Sequence, residues 1–180
     1  MDLNIPEYAQ CIAVKSILAQ LASNKRNIMN IRKASLTELI SLHNQIVEFL
    51  PIDSADYFAA RIGDKNYLAL VAEIDGVTVG YKLGYWLSAE LFYSWLGGVH
   101  PAYRQQGIAK LLLHEQERQV RAQGAIEIQV KSTNRFKSML QFLIAQDYEI
   151  IGTEPTPGRD TKILFSKCLI AAKNRPTESD

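Results

Sequence analysis

The chain has 180 residues, 47% of them hydrophobic, which suits a single domain with a sizeable core. Twenty basic and 19 acidic side chains leave a net charge of +1, a balance that gives no footing to nucleic acid or an anionic membrane as a partner. Two cysteines, Cys11 and Cys168, and three scattered histidines, His43, His100 and His114, provide neither a disulfide framework nor metal-ligand spacing, so the expectation is a cytoplasmic protein without a metal.

Residues 1–25 read as a helix, with Asn4 at its cap, Pro6 in its first turn and Tyr8, Cys11, Ile12, Leu18 and Leu21 at helical spacing. It stands as an accessory segment over residues 1–27, either packed on the domain or turned to a second subunit in a homodimer. No apolar run reaches membrane-spanning length, and Asp2 and Lys15 speak against a signal peptide.

Residues 28–32 follow as a short strand. Ser35 and Glu38 form a capping-box pattern that opens a helix through Leu39, Leu42, Ile46 and Val47, stopped by Pro51. Residues 54–61 suggest another short helix, ended by Gly63. Residues 67–74 and 77–86 are strands on either side of Asp75-Gly76, a two-residue hairpin signal. Gly80 and Gly84 inside the second mark bulges or close backbone approach. Residues 91–99 complete the meander.

Residues 99–110, Val-His-Pro-Ala-Tyr-Arg-Gln-Gln-Gly-Ile-Ala-Lys, lead into a helical pattern that runs to Gly124. The first turn of a helix carries backbone N–H groups without internal partners and a positive dipole end, which together suit a phosphate. Gly107 lets an anion approach the main chain, Ala109 keeps that face narrow, and Arg104 supplies a permanent cation. The same pattern also describes a glycine-containing helix start with no ligand. Residues 125–131 alternate, with Ile126, Ile128 and Val130 on one face. Strand, helix and strand then make a βαβ unit with a parallel pair. Asn134 caps a helix carrying Phe136, Met139, Leu140, Leu143 and Ile144. Residues 148–151 start another strand, residues 161–169 are the last strand, and residues 171–180 form a polar tail expected to be disordered.

At Arg104-x-x-Gly107-x-Ala109 the chain resembles the GNAT superfamily of N-acetyltransferases, whose loop of this pattern holds the pyrophosphate of acetyl-coenzyme A. Val99, Pro101, Tyr103 and Leu111-Leu112 extend the likeness, and the order of elements matches over about residues 28–170. The resemblance implies an α/β mixed sheet of the acyl-CoA N-acyltransferase type: an antiparallel meander, then a parallel βαβ cofactor unit whose two strands splay apart. It implies that acetyl-CoA is the cosubstrate, held by Arg104, Gln105, Gln106, Gly107, Ile108, Ala109 and Lys110, with Gly97, Gly98 and Val99 and the side chain of Asn134 along its pantetheine arm. Gly97-Gly98 also reads as a plain bulge, and Asn134 as a plain helix cap.

The implied reaction is attack of a primary amine, of a small molecule or a protein, on the thioester carbonyl. The family's tyrosine acid has no counterpart, because Leu143 and Phe142 occupy that stretch and Asp147-Tyr148 stands where the family has Gly-Phe. The family's glutamate is missing from residues 91–99. Tyr93 remains as a candidate acid or a packing residue, and His100 as a candidate base or a loop residue. Trp86, Trp95, Tyr81 and Tyr85 line an acceptor pocket or belong to the core. Asp53 and Asp56 attract an amine or are surface charge. The expected activity is N-acetyl transfer; the alternative is a non-catalytic acyl-CoA-binding module.

Overall fold

The computed structural model describes residues 29–49, 54–155, 157–158 and 160–170. The expected helix over residues 1–27, the tail over 171–180, Pro51 and Asp53 lie outside the described residues. Seven strands form one sheet: β1 (Met29–Lys33), β2 (Tyr67–Ile74), β3 (Val77–Trp86), β4 (Leu91–Val99), β5 (Glu127–Thr133), β6 (Glu149–Glu154) and β7 (Lys162–Cys168). Their order is β1-β2-β3-β4-β5-β7-β6. The helices are α1 (Leu36–His43), α2 (Ala55–Ile62), α3 (Ile108–Ala122) and α4 (Lys137–Ile144).

The meander forms as its sequence predicts. Asp75 and Gly76 both have positive φ, +49° and +83°, the conformation that a tight hairpin turn demands. One face of the sheet is covered by α3, which buries Ile108, Leu112, Leu113 and Val120 against Leu68, Leu70, Phe92 and Ile128. The opposite face is covered by α1 and α2, where Leu39, Leu42, Phe58 and Ile62 meet Val71, Tyr81, Leu83 and Tyr85. Burial of these two apolar layers is the main stabilising term. A Cβ on Gly84 would stand 2.4 Å from the Phe92 ring and 2.5 Å from the Tyr93 carbonyl oxygen, so that position is closed to any side chain.

β4 and β5 pair in parallel over four residues only, Leu91–Ser94 against Glu127–Val130. The next residue of β4, Trp95, is the extra residue of a bulge against β3, because Gly84 pairs Ser94 while Leu83 pairs Leu96. A bulge bends its strand. Beyond it, β4 stays with β3 as far as Val99, and β5 stays with β7 as far as Thr133. The two inner edges therefore separate into a fork.

Several boundaries differ from the sequence reading. The first strand is described from Met29, and its expected first residue, 28, lies outside the described residues. Helix α1 stops at His43 instead of continuing through Val47, because the N–H groups of Gln45 and Ile46 turn to carbonyls three residues back and the chain tightens into a 3-10 turn at Val47–Phe49. That turn stacks the Phe49 ring on His43 at 4.7 Å. β5 begins at Glu127, since the N–H groups of Ile126 and Glu127 both donate to Glu90 O. Ile126 is exposed, and the inward face is Ile128, Val130 and Ser132. Helix α4 begins at Lys137 with Phe136 at its cap, so Asn134 is not the cap residue; it lies in a turn closed by Phe136 N–H to Thr133 O. The Phe136 ring packs near Phe49 instead. β6 starts at Glu149, one residue later than expected, and runs to Glu154, with Tyr148 buried before it.

Candidate functional site

The start of α3 lies at the end of β4. Gly107 is its cap residue in the left-handed conformation, φ +78°, and no side chain caps the helix. The first internal bond is Leu111 N–H to Gly107 O, which leaves the N–H groups of Ile108, Ala109 and Lys110 without intrahelical partners. A Cβ added at Gly107 would meet nothing within 4 Å, so the space over this turn is open. Gln105 also has positive φ, +62°. Gln105, Gln106, Ala109 and Lys110 are exposed around the helix start, while the Ile108 side chain is buried and offers only its N–H.

Arg104 departs from the expectation of a cation free to meet phosphate. Its guanidinium donates to both carboxylate oxygens of Glu48, at 2.6 and 2.8 Å, and its Nε donates to Val99 O at 3.1 Å. Arg104 holds the Glu48 carboxyl below the usual carboxylate range.

Gly97, Gly98 and Val99 form the β4 prong of the fork. The bulge sits at Trp95, so Gly97-Gly98 is not a bulge. These glycines serve close packing: a Cβ on Gly98 would lie 2.6 Å from Ile46 Cδ1 and 3.0 Å from Phe49 Cε2. The β5 prong ends at Thr133, whose Oγ1 is buried with no hydrogen-bond partner among the described residues. Asn134 is exposed just past this tip.

The candidate acid and base are both committed to structure. The Tyr93 ring packs edge-on against Tyr85 at 5.4 Å, and burial pushes its pKa up to about 12. His100 Nδ1 accepts from Ala102 N–H at 3.3 Å and so caps the 3-10 turn Pro101–Tyr103. Leu143 is fully buried. Tyr148 donates its hydroxyl to Glu117 at 2.9 Å, and burial beside that carboxylate raises the phenol pKa strongly. The four aromatics do not share one cavity. Trp86 packs with Phe92 on the α3 face, whereas Tyr81, Tyr85 and Trp95 join the cluster on the α1–α2 face. Asp56 is exposed in the first turn of α2.

Two polar pairs escaped the sequence reading. On the α3 face Lys82 is 8% exposed, and its Nζ donates to Ser94 Oγ at 2.7 Å. Burial lowers its pKa to about 8 against a raising influence of Glu117. The available signal was Gly80-x-Lys82-x-Gly84, a lysine between two glycines on one face of a strand. On the other face His43 Nδ1 lies 2.6 Å from the Tyr81 hydroxyl, with both residues buried; no local pattern announces that pair.

The sequence model of the acetyltransferase (GNAT) family matches residues 29–139. No curated protein matches the chain. Among solved structures, the ribosomal-protein-S18-alanine N-acetyltransferase of Escherichia coli superposes with a TM-score of 0.68 at 16% identity, covering 82% of this chain and 99% of that one. The PaiA N-acetyltransferase of Thermoplasma acidophilum, in complex with coenzyme A, gives 0.60 at 18% identity, covering 78% and 98%. A GNAT family acetyltransferase of Elizabethkingia anophelis with acetyl-CoA bound gives 0.62 at 13% identity, covering 80% and 99%. At these identities the likeness is one of fold.

Proposed function

Because the chain belongs to the acetyltransferase (GNAT) family, we propose that it transfers an acetyl group from acetyl-CoA to a primary amine by direct attack. The observation that carries this reading is the junction of two features: a fork between β4 and β5, and at its mouth an uncapped helix start with open space over Gly107. The orphaned Thr133 hydroxyl at the fork tip fits a polar arm lying between the prongs. Bound acetyl-CoA would supply the activated acyl group. The N–H groups of Ile108, Ala109 and Lys110 would bind its pyrophosphate, with Gln105 and Gln106 beside them. The inner edges of Gly97, Gly98 and Val99 would offer main-chain groups to the arm. Arg104 would join the phosphate by giving up Glu48.

The acceptor amine is a small molecule or a protein amino group. No nucleic acid or membrane partner enters this reading, given the charge balance of the chain. Among the described residues no helix is long and apolar enough to cross a membrane; a cytoplasmic setting rests on the cysteine usage alone. A homodimer through residues 1–27 is compatible with the same activity.

The test has two stages. Calorimetry with coenzyme A on the wild type and on Gly107→Glu comes first; the variant adds bulk and negative charge over the helix start and should lose binding while staying folded. Equal affinity would overturn the assignment. A panel of amines with a free-thiol readout comes second. Tight acetyl-CoA binding with no turnover on any amine would favour the non-catalytic acyl-CoA-binding module, the reading that the structural commitments of Tyr93 and His100 support.

A further inference from the structure

The fork has a polar floor on the side covered by α3. Lys82 stands between Gly80 and Gly84 on β3 and opposite Gly97 on β4. A Cβ on Gly97 would lie 3.1 Å from Lys82 Cδ, so the lysine stem runs along a wall made of glycine. Its amine ends at Ser94 Oγ, 2.7 Å away. Ser94 is 1% exposed and pairs with Val130, the last rung before the two strands part. The Lys82–Ser94 pair therefore sits at the crotch of the fork. On α3, Gln116 is fully buried, and neither its amide nitrogen nor its oxygen has a partner among the described residues.

An ammonium buried against one neutral hydroxyl is costly, and an apolar side chain of similar volume would fill the slot more cheaply. The charged group that reaches Lys82 is Glu117 on α3, and that carboxylate already receives Tyr148 and Lys167. Leu70, which pairs with Lys82 from β2, and Ser94 and Gly97 from β4 add no charge. Resting on the reading of the fork as the acyl-arm site, we propose that Lys82 acts through the Ser94 hydroxyl as the proton source for the leaving sulfur. The acceptor nitrogen forms its bond to the acyl carbon as the carbon–sulfur bond breaks onto sulfur. Sulfur takes the Ser94 hydroxyl proton, and Ser94 takes one from the Lys82 ammonium. The surplus proton of the acceptor nitrogen goes to solvent, from which Lys82 is recharged. Lys82 is thus a positioning residue for charge and proton, supplying what Leu143 and Phe142 cannot.

The experiment titrates the thiol of coenzyme A bound to the full chain, followed by the ultraviolet absorbance of the thiolate, so no acceptor is needed. A neighbouring ammonium should make the bound thiol about tenfold more acidic than in free coenzyme A. Lys82→Met should abolish that gain and Ser94→Ala should reduce it, each titrated at saturating coenzyme A. Equal thiol acidity in wild type and Lys82→Met, with coenzyme A bound to each, would overturn the proposal while leaving the fork reading intact. Failure of the wild type to bind coenzyme A would remove both. If Lys82→Met does not fold, Ser94→Ala carries the same test: unchanged thiol acidity there also overturns the proposal.

Discussion

Arg104 and Glu48, 56 positions apart in sequence, are joined by two parallel hydrogen bonds of 2.6 and 2.8 Å. The pair ties the loop before α3 to the 3-10 turn after α1. It also puts a carboxylate beside the proposed phosphate site, where it both holds the arginine and repels the ligand. Glu48→Gln keeps an acceptor and removes the charge. We expect coenzyme A affinity to rise about 2–5-fold, since an exposed pair of this kind contributes about 1 kcal/mol or less. Calorimetry at two salt concentrations checks this, and a fall in affinity would show that Glu48 chiefly orients Arg104.

Gly84 tests the packing that holds β4 in place. Its missing Cβ would overlap the Phe92 ring and the Tyr93 carbonyl, and the carbonyl belongs to a paired strand that cannot give way. Gly84→Ala should cost about 3 kcal/mol. Chemical denaturation measures it, with a loss under about 1 kcal/mol counting against the close approach.

Lys82 gives a pH dependence with a definite sign. Its folded pKa of about 8 lies below the ordinary 10.5, so between those values the unfolded chain keeps a proton that the folded chain has released. Stability therefore rises with pH across that window, by up to about 3 kcal/mol from this group alone. Lys82→Met should lack the slope and be the more stable protein near neutral pH. Denaturation midpoints from about pH 7 to about pH 10 decide it, and parallel curves for the two proteins would contradict the burial of a titrating amine.

Tyr148 is a structural residue on this account. Tyr148→Phe removes one donor from Glu117, which keeps Lys167 at 3.1 and 3.2 Å. The cost should be about 1–2 kcal/mol of stability, with kcat changed by less than about threefold. A loss in kcat of about a hundredfold at unchanged acetyl-CoA affinity would identify it as the missing acid.

The βαβ unit and the hairpin were legible in the sequence because their signals are local. Asp75-Gly76 sets its own turn, and Gly107 sets the start of α3 next to the motif it serves. The site residues that escaped depend on distant partners. Nothing near Lys82 in sequence says that Ser94 will receive its amine or that α3 will cover it. Arg104 reads as a free cation until Glu48 is brought to it by folding. Asn134 reads as a cap because its residue type prefers that place, yet α4 begins at Lys137 with Phe136 at the cap position, its ring turned toward Phe49. The fork itself was anticipated from family resemblance, while its cause, the extra residue at Trp95, has no local signal in residues 91–99.

That extra residue has a consequence for how this strand tolerates changes of length. Gly84–Ser94 and Leu83–Leu96 are successive rungs with Trp95 between them, so loss of position 95 would leave every other β3–β4 rung with its present partner. Loss of Phe92, Tyr93, Gly97 or Gly98 would instead shift the residues between the gap and position 95 by a rung and turn their side chains to the wrong face. Deletion of Trp95 would forfeit its contacts with Tyr57, Phe58 and Tyr85 and straighten the bend that opens the fork. In this strand, a shortening the fold can absorb is the same shortening that would close the cleft.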